Sequence, residues 1–172
     1  MVFARAKLTL EDKCFEEDPG TLEVNFEGPG ITKLYHRVYE MARAVFSVPE
    51  SEMQEIRFDW EKGKDGDNKF RVRWWIHKDL DVFSHLYLRV DLSGKGTDEH
   101  GRANVRLKGW LRSEYPQDTV WQRSIFYEMM RTFWHRIFYR QKREEYIEEC
   151  RHLMIFFEKQ VQQYLGVLKT EH

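Results

Sequence analysis

The sequence predicts an α+β fold, in which an antiparallel β-meander sheet is packed by an early helix and a long, broken C-terminal helix. Three patterns support this prediction: period-two alternation across residues 54–112, an apolar stripe at helical spacing in 31–47, and a helical pattern from 118 to 165. The chain has 172 residues, of which 41% are hydrophobic, so it is long enough for one domain with a large core.

The first third of the chain predicts two strands and the early helix. Residues 2–10 and 21–27 have the composition and alternation of strands. The Gly-Pro-Gly sequence at 28–30 then ends the second strand. We expect the helix over 31–47 to end before Pro49, because a proline disfavours the helical conformation in the residue that precedes it.

Four strands follow, and their alternation predicts one buried and one exposed face. The expected buried positions are Ile56, Phe58, Trp60, Phe70, Val72, Trp74, Ile76, Leu86, Leu88, Val90, Leu92, Val105, Leu107, Gly109 and Leu111.

The C-terminal helical pattern is too long for a compact domain, since a straight helix of that length would extend about 70 Å. We expect it to break in the polar stretch 139–145. Residues 121–138 are apolar nearly all round, which predicts a helix buried against the sheet. The expected organisation is a body over 1–140 that includes this helix, a helical extension over 141–168 and a tail over 169–172.

Within the extension, apolar residues recur at spacings of three and four, which is typical of a coiled-coil seam. Such a seam packs on the body or on a second copy of the chain, and Gly166 is expected to end its helix. We assign to self-association the residues Ile147, Cys150, Met154, Phe157, Val161 and Tyr164.

This order of elements resembles the helix-grip fold of the START and Bet v 1-like proteins, over 2–10, 31–47, 54–112 and 119–139. The strand at 21–27 and the extension depart from that pattern. The resemblance implies a cavity for an apolar small ligand between sheet and helix. Large side chains at the expected walls favour a filled core over such a cavity. These side chains are Phe58, Trp60, Phe70, Trp74, Phe126, Phe133 and Trp134.

Charge is unevenly distributed, with ten Lys and Arg against three acidic residues between 102 and 143, although the whole chain has a net charge of −1. On the exposed sheet face, cations alternate with aromatic residues. Protein interfaces, nucleic-acid surfaces and plain cross-strand ion pairs all produce this pattern. The predicted surface for a partner or nucleic acid comprises Arg71, Arg73, Trp75, Tyr87, Arg89, Arg106, Lys108, Trp110, Arg136, Arg140, Lys142 and Arg143.

Motifs for catalysis or metal binding are weak. Glu149 and His152 form a single Glu-x-x-His, whereas di-metal carboxylate bundles need two such motifs. No shared spacing or motif partner connects His36, His77, His85, His100 and His135. We therefore predict a protein that is not an enzyme, with no catalytic residue, no metal ligand and no cofactor.

Cys14 and Cys150 allow one disulfide, but residues 1–15 lack a signal-peptide pattern. We therefore predict a cytoplasmic protein with reduced cysteines. No apolar run approaches the roughly 20 residues that cross a bilayer, so we expect no membrane span.

Together these patterns favour a non-enzymatic binding or assembly module that acts through protein–protein contacts, with a protein partner or a second copy. The first alternative is a nucleic-acid or ribonucleoprotein binder that uses the basic stretch 102–143 and the aromatic sheet face. The second is a helix-grip carrier of an apolar small ligand.

Overall fold

The computed structural model describes residues 9–15, 20–63, 66–97, 99–114, 124–134, 137 and 139–170. Over these residues the predicted α+β class is confirmed. An antiparallel sheet carries an early helix and a long C-terminal helix on one face. The predicted strand at 2–10 is described only from residue 9, and residues 115–123 lie outside the described part of the chain.

The strands are β1 (Thr9–Lys13), β2 (Leu22–Gly28), β3 (Met53–Lys62), β4 (Asn68–Asp79), β5 (Ser84–Gly96) and β6 (Gly101–Glu114). The helices are α1 (Leu34–Phe46), α2 (Ile125–Trp134) and α3 (Arg140–Thr170). Short 3-10 turns at Ile31–Lys33 and Glu50–Glu52 precede α1 and β3 respectively.

The sheet order is β1-β6-β5-β4-β3, so the predicted meander of four sequential strands is confirmed. Both β1 and β2 pair with β6, β1 along Trp110–Glu114 and β2 along Gly101–Leu107. They therefore share one edge of the sheet. Between them the chain turns inward at Cys14, whose backbone N–H donates to the Gly109 carbonyl at 3.0 Å.

A register shift in β3, between Glu55 and Arg57, changes the face that one residue occupies. Glu55 pairs with Trp74 on the face covered by helices, and Ile56 is 56% exposed, so the expected burial of Ile56 is wrong. The Glu55 carboxylate accepts hydrogen bonds from Trp74 Nε1 (3.1 Å) and Tyr35 Oη (2.9 Å). Burial, together with the bond to Glu55, raises the pKa of Tyr35 to about 12.

The helix that covers the sheet is α3, and it meets α1 where Phe157 packs on Phe46 with ring centroids 5.5 Å apart. Its apolar stripe therefore meets the sheet and α1, which makes the predicted self-association seam wrong. This seam belongs to the core, with four of its side chains fully buried and two partly buried: Cys150, Met154, Phe157 and Val161, then Ile147 and Tyr164.

The prediction for residues 121–138 is also wrong where the structure describes them. The six large apolar residues of α2 are 53% to 67% exposed instead of packing on the sheet: Ile125, Phe126, Met129, Met130, Phe133 and Trp134. The buried residue of this helix is Arg131, which forms an ion pair with Glu128. The apolar stripe of α3 therefore occupies the core position that the sequence suggested for residues 121–138.

The predicted break within 139–145 is not found: residues 137 and 139 are π-helical, and residues 135, 136 and 138 lie outside the described part of the chain. Residues 140–145 form the first turns of α3. Gly166 lies inside α3, which continues to Thr170, so it does not end the helix.

A disulfide joins Cys14 to Cys150 across 136 residues of chain, and both residues are fully buried. The predicted reduced state is therefore wrong. Closing a loop of this length removes enough entropy from the unfolded chain to stabilise the fold by about 5 kcal/mol. Arg151 reinforces the same junction, since its Nε donates to the Cys14 carbonyl at 2.5 Å.

The disulfide lies over Gly109 of β6, which has no side chain to occupy the space. A Cβ atom at this position would stand 2.7 Å from Met154 Sδ, 3.0 Å from Cys14 Sγ and 3.0 Å from a methyl group of Leu88. These separations are too short for ordinary contact, so glycine allows α3 and the disulfide to approach the sheet closely.

We predict that Gly109→Ala lowers the free energy of unfolding by about 1–3 kcal/mol, because the added methyl group overpacks this junction. The matched control is Gly166→Ala, where a Cβ atom meets nothing within 4 Å. This control should stabilise α3 by up to about 1 kcal/mol, since alanine is the better helix former. Urea unfolding of both variants measures the difference, and equal effects would contradict the account of Gly109.

Asp81, in the turn between β4 and β5, holds the start of α3. One carboxylate oxygen accepts the backbone N–H groups of Phe83 and Ser84, both at 2.8 Å. The other accepts from Tyr139 Oη (2.7 Å), Tyr146 Oη (3.0 Å) and the Lys142 ammonium (3.2 Å). Burial acts to raise the pKa of Asp81, but these hydrogen bonds outweigh it and lower the pKa from 3.8 to about 2.

A carboxylate with a lowered pKa stabilises the folded state above its unfolded pKa, and the stabilisation is lost as pH falls through the folded value. We therefore predict that Asp81→Asn costs about 2 kcal/mol at pH 6 and that this difference shrinks between about pH 4 and pH 2. Chemical unfolding of both proteins across that range measures it. A difference independent of pH would contradict the assigned role of the charge.

Candidate anion-binding face

The sheet face opposite α1 and α3 carries the charged and aromatic residues that the sequence placed there. We call it the outer face. In β4, β5 and β6 these side chains alternate with buried neighbours, as the period-two pattern predicts. The structure brings together on this face eight of the twelve predicted partner residues: Arg71, Arg73, Trp75, Tyr87, Arg89, Arg106, Lys108 and Trp110.

A cleft of about 670 Å³ lies on the outer face. Its walls contain six cationic side chains but only two acidic ones, Glu23 and Asp91. We call this site the basic cleft, defined by the cations Arg57, Arg71, Arg73, Arg89, Arg106 and Lys108.

Asp91, at the centre of the basic cleft, holds two arginines. Its oxygens accept from Arg73 Nε at 2.5 Å and from Arg89 Nε at 2.8 Å. Both bonds use the inner nitrogen of the guanidinium. Within the described ranges, the terminal nitrogens of Arg73 and Arg89 have no carboxylate partner. Asp91 therefore orients two guanidinium forks and leaves their terminal N–H donors for another anion.

At the rim of the cleft, Arg57 Nε bonds to Asp59 at 2.5 Å, again through the inner nitrogen. Arg106 differs, because its Nε lies 3.3 Å from one oxygen of Glu23 and its terminal Nη2 donates to the other at 3.3 Å. Hydrogen bonds from Asn104 and Arg106 lower the pKa of Glu23, which keeps this carboxylate ionised.

Two further cations, Arg71 and Lys108, have no ion-pair partner among the residues that the structure describes. The acids of the outer face therefore position some of the cations without neutralising all of them. Part of the face is a cross-strand ion-pair ladder, but the ladder leaves a positive excess inside the cleft.

The aromatic residues beside the cleft pack on one another. The rings of Trp75 and Trp110 stack across β5, with centroids 5.7 Å apart and planes 12° from parallel. Tyr87 contacts the His77 ring at 5.0 Å, and the Arg112 guanidinium lies 5.9 Å from its centroid. Each of these rings already uses at least one face, which reduces the surface available for base stacking.

The basic joint that the sequence also assigned to this surface has another role. Arg143 is buried and donates to Ser113 and Asp12, so it cannot reach a partner. Lys142 bonds to Asp81, and Arg140 pairs with Glu144 one turn along α3 at 3.0 Å. These contacts anchor the start of α3. They remove Arg143 from the predicted partner surface, whereas the side chains of Arg140 and Lys142 stay exposed. The fourth residue of the joint, Arg136, lies outside the described residues.

The side chains expected to wall an apolar cavity do not face one another. Phe70 and Trp74 are buried in the core, whereas Phe58 is half exposed. Their expected partners on α2 are not part of this core, since Phe126 and Phe133 are more than half exposed.

Sequence reasoning missed one cluster at the end of the β4–β5 hairpin. The register sets Asp79 opposite His85, and His77 lies two residues before Asp79 on the same face. Their ligand atoms all lie within 4.8 Å of one another. The sequence signal was a His-x-Asp motif at 77–79 followed by a histidine six residues later. Only the hairpin register shows that these three side chains lie close together.

No family model matches this chain, and no curated protein matches it. Among solved structures, one match is a chain named delta-endotoxin, with 8% sequence identity and a TM-score of 0.29. The match covers 59% of this chain and 63% of that one. A TM-score this low does not establish a shared fold, so it contributes nothing to the account of this site.

Among the described residues, no helix is long and apolar enough to cross a membrane.

Proposed function

We propose that the protein is a non-enzymatic binding module whose basic cleft binds an acidic segment of a partner protein. The observation that carries this proposal is the clamp at Asp91, which fixes Arg73 and Arg89 by their inner nitrogens. A guanidinium held in this way is already fixed before a partner arrives. Binding a carboxylate through its terminal N–H groups therefore costs little further side-chain entropy.

Electrostatics supports an anionic partner. The cleft holds six cations and two acids, although the net charge of the whole chain is −1. A concave surface of one sign concentrates counter-charged partners and accelerates their association. Arg71 and Lys108 add positive charge that no described carboxylate offsets.

A protein partner fits this face better than a single-stranded nucleic acid. Protein interfaces are enriched in arginine, tryptophan and tyrosine, and arginine outnumbers lysine five to one in the cleft. Single-stranded nucleic acids need aromatic rings with open faces for base stacking. Trp75 and Trp110 instead stack on each other, and Tyr87 packs on His77.

Nucleic acid remains the alternative, favoured by one observation. The cations and the Trp75–Trp110 pair lie side by side on the outer face, and guanidinium forks bind phosphate as well as carboxylate. The same experiment therefore includes both kinds of probe.

The buried disulfide indicates the kind of compartment in which the protein would bind such a partner. Disulfides persist mainly in oxidising compartments and are rare in the cytosol of most organisms. Cys14–Cys150 therefore favours an oxidising environment over the cytoplasm that the sequence suggested.

The test is fluorescence anisotropy with two labelled probes of similar length, a poly-glutamate peptide and an oligo-dT strand. We predict tighter binding of the peptide, weakening as salt is added because the contacts are ionic. The double variant Arg71→Gln and Lys108→Gln should weaken peptide binding about tenfold or more. Neither residue has a described ion-pair partner, so the fold should be unaffected.

The matched control is Lys33→Gln with Lys159→Gln, which removes the same charge from exposed positions on the helical layer. It should leave peptide binding within about twofold, since the lost charges are far from the cleft. Tighter binding of oligo-dT would replace the protein partner with nucleic acid. Equal losses in both double variants, or no binding of either probe, would contradict a binding role for the cleft.

A further inference from the structure

Three side chains converge beside the turn that joins β4 to β5. The Asp79 carboxylate oxygen Oδ1 lies 2.6 Å from His85 Nδ1 and 3.3 Å from His77 Nε2. The two imidazole rings are tilted, with centroids 5.3 Å apart. Both histidines are partly buried, while Asp79 is 68% exposed, so the cluster is fixed by the sheet and open to solution.

The second nitrogen of His77 also faces a carboxylate. His77 Nδ1 lies 2.9 Å from Glu52 Oε2, which belongs to the 3-10 turn before β3. A neutral imidazole has one N–H, so it can donate to only one of the two carboxylates. If Nδ1–H donates to Glu52, the lone pair of Nε2 points toward the Asp79 carboxylate, and neither group has a proton to donate to the other. A cation between them would accept electron pairs from both.

We propose that His77, Asp79 and His85 bind one divalent transition-metal ion of the Zn²⁺ type. His77 coordinates through Nε2, His85 through an imidazole nitrogen and Asp79 through a carboxylate oxygen. Glu52 is a positioning residue, which accepts the Nδ1–H of His77 and so fixes the ring and its tautomer. A carboxylate that orients a ligating histidine in this way is a recurrent second partner of metal sites.

The donor set selects the class of metal. Two imidazole nitrogens and one carboxylate suit Zn²⁺ and its neighbours in the first transition row, whereas Ca²⁺ and Mg²⁺ prefer oxygen ligands throughout. Three protein ligands leave a coordination position open, as in zinc sites that also bind water or a small molecule.

A cleft of about 340 Å³ lies beside His77 and Glu52. Its walls combine these two residues with apolar and aromatic groups: Ile56, Trp75, Ile76 and Tyr87. The site is separate from the basic cleft, so it does not depend on the proposed function.

The experiment is isothermal titration of the chelator-treated full chain with Zn²⁺, and separately with Co²⁺, whose visible spectrum reports coordination by nitrogen and oxygen. We expect one ion per chain at micromolar affinity or better. His85→Gln and Asp79→Asn should each weaken binding at least tenfold, and Glu52→Gln should weaken it by about 10- to 100-fold.

The matched control is His100→Gln, which removes one exposed imidazole from the opposite end of β5 and should leave binding unchanged. Circular dichroism of each variant separates loss of ligand from loss of fold. Three results would overturn the proposal: no binding by the folded protein, binding unchanged in His85→Gln and Asp79→Asn, or an equal loss in His100→Gln. In any of these cases the cluster is a hydrogen-bonded His-Asp-His group without a metal.

Discussion

The position of α3 on the sheet depends on one small contact, in which the Cys14–Cys150 disulfide packs over Gly109. The disulfide ties the segment after β1 to α3, and the missing side chain of Gly109 lets Met154 rest on the strand. With α3 held there, its apolar stripe completes the core against the sheet and α1. Hydrogen bonds that Asp81 accepts and that Arg143 donates then fix the first turns of the same helix.

The two faces of the sheet consequently differ in what covers them. Both packing helices lie on the inner face, so the core residues of β4, β5 and β6 are covered there. The outer face keeps its charged side chains accessible, and sheet register arranges them. Register places Asp91 where it reaches Arg73 and Arg89, and it sets Asp79 opposite His85 at the other end of the hairpin. The antiparallel sheet thus positions both the basic cleft and a cluster of potential metal ligands.

Much of this could be predicted from the sequence, because period-two alternation determines which side of a strand is apolar. That pattern located the four meander strands and all eight outer-face residues from Arg71 to Trp110. An apolar stripe, in contrast, indicates that a helix face is buried without indicating what covers it. The stripes around Phe126 and Phe157 are both strongly apolar, and contacts at Cys14 and Gly109 decide which one meets the sheet. The Ile56 error has a similar origin, since a bulge shifts the alternation by one residue. The His77 cluster depends on hairpin register, which single-sequence patterns do not specify.

The most direct test of this account is thermal unfolding of the purified protein with and without a reductant. The account predicts that reduction lowers the midpoint by roughly 5 to 20 °C, because a loop of 136 residues is released in the unfolded chain. A Cys14→Ser, Cys150→Ser double variant should unfold at the lower temperature in both conditions. An unchanged midpoint for the natural chain, with two titratable thiols in the unreduced protein, would contradict the claim that this disulfide holds α3 on the sheet.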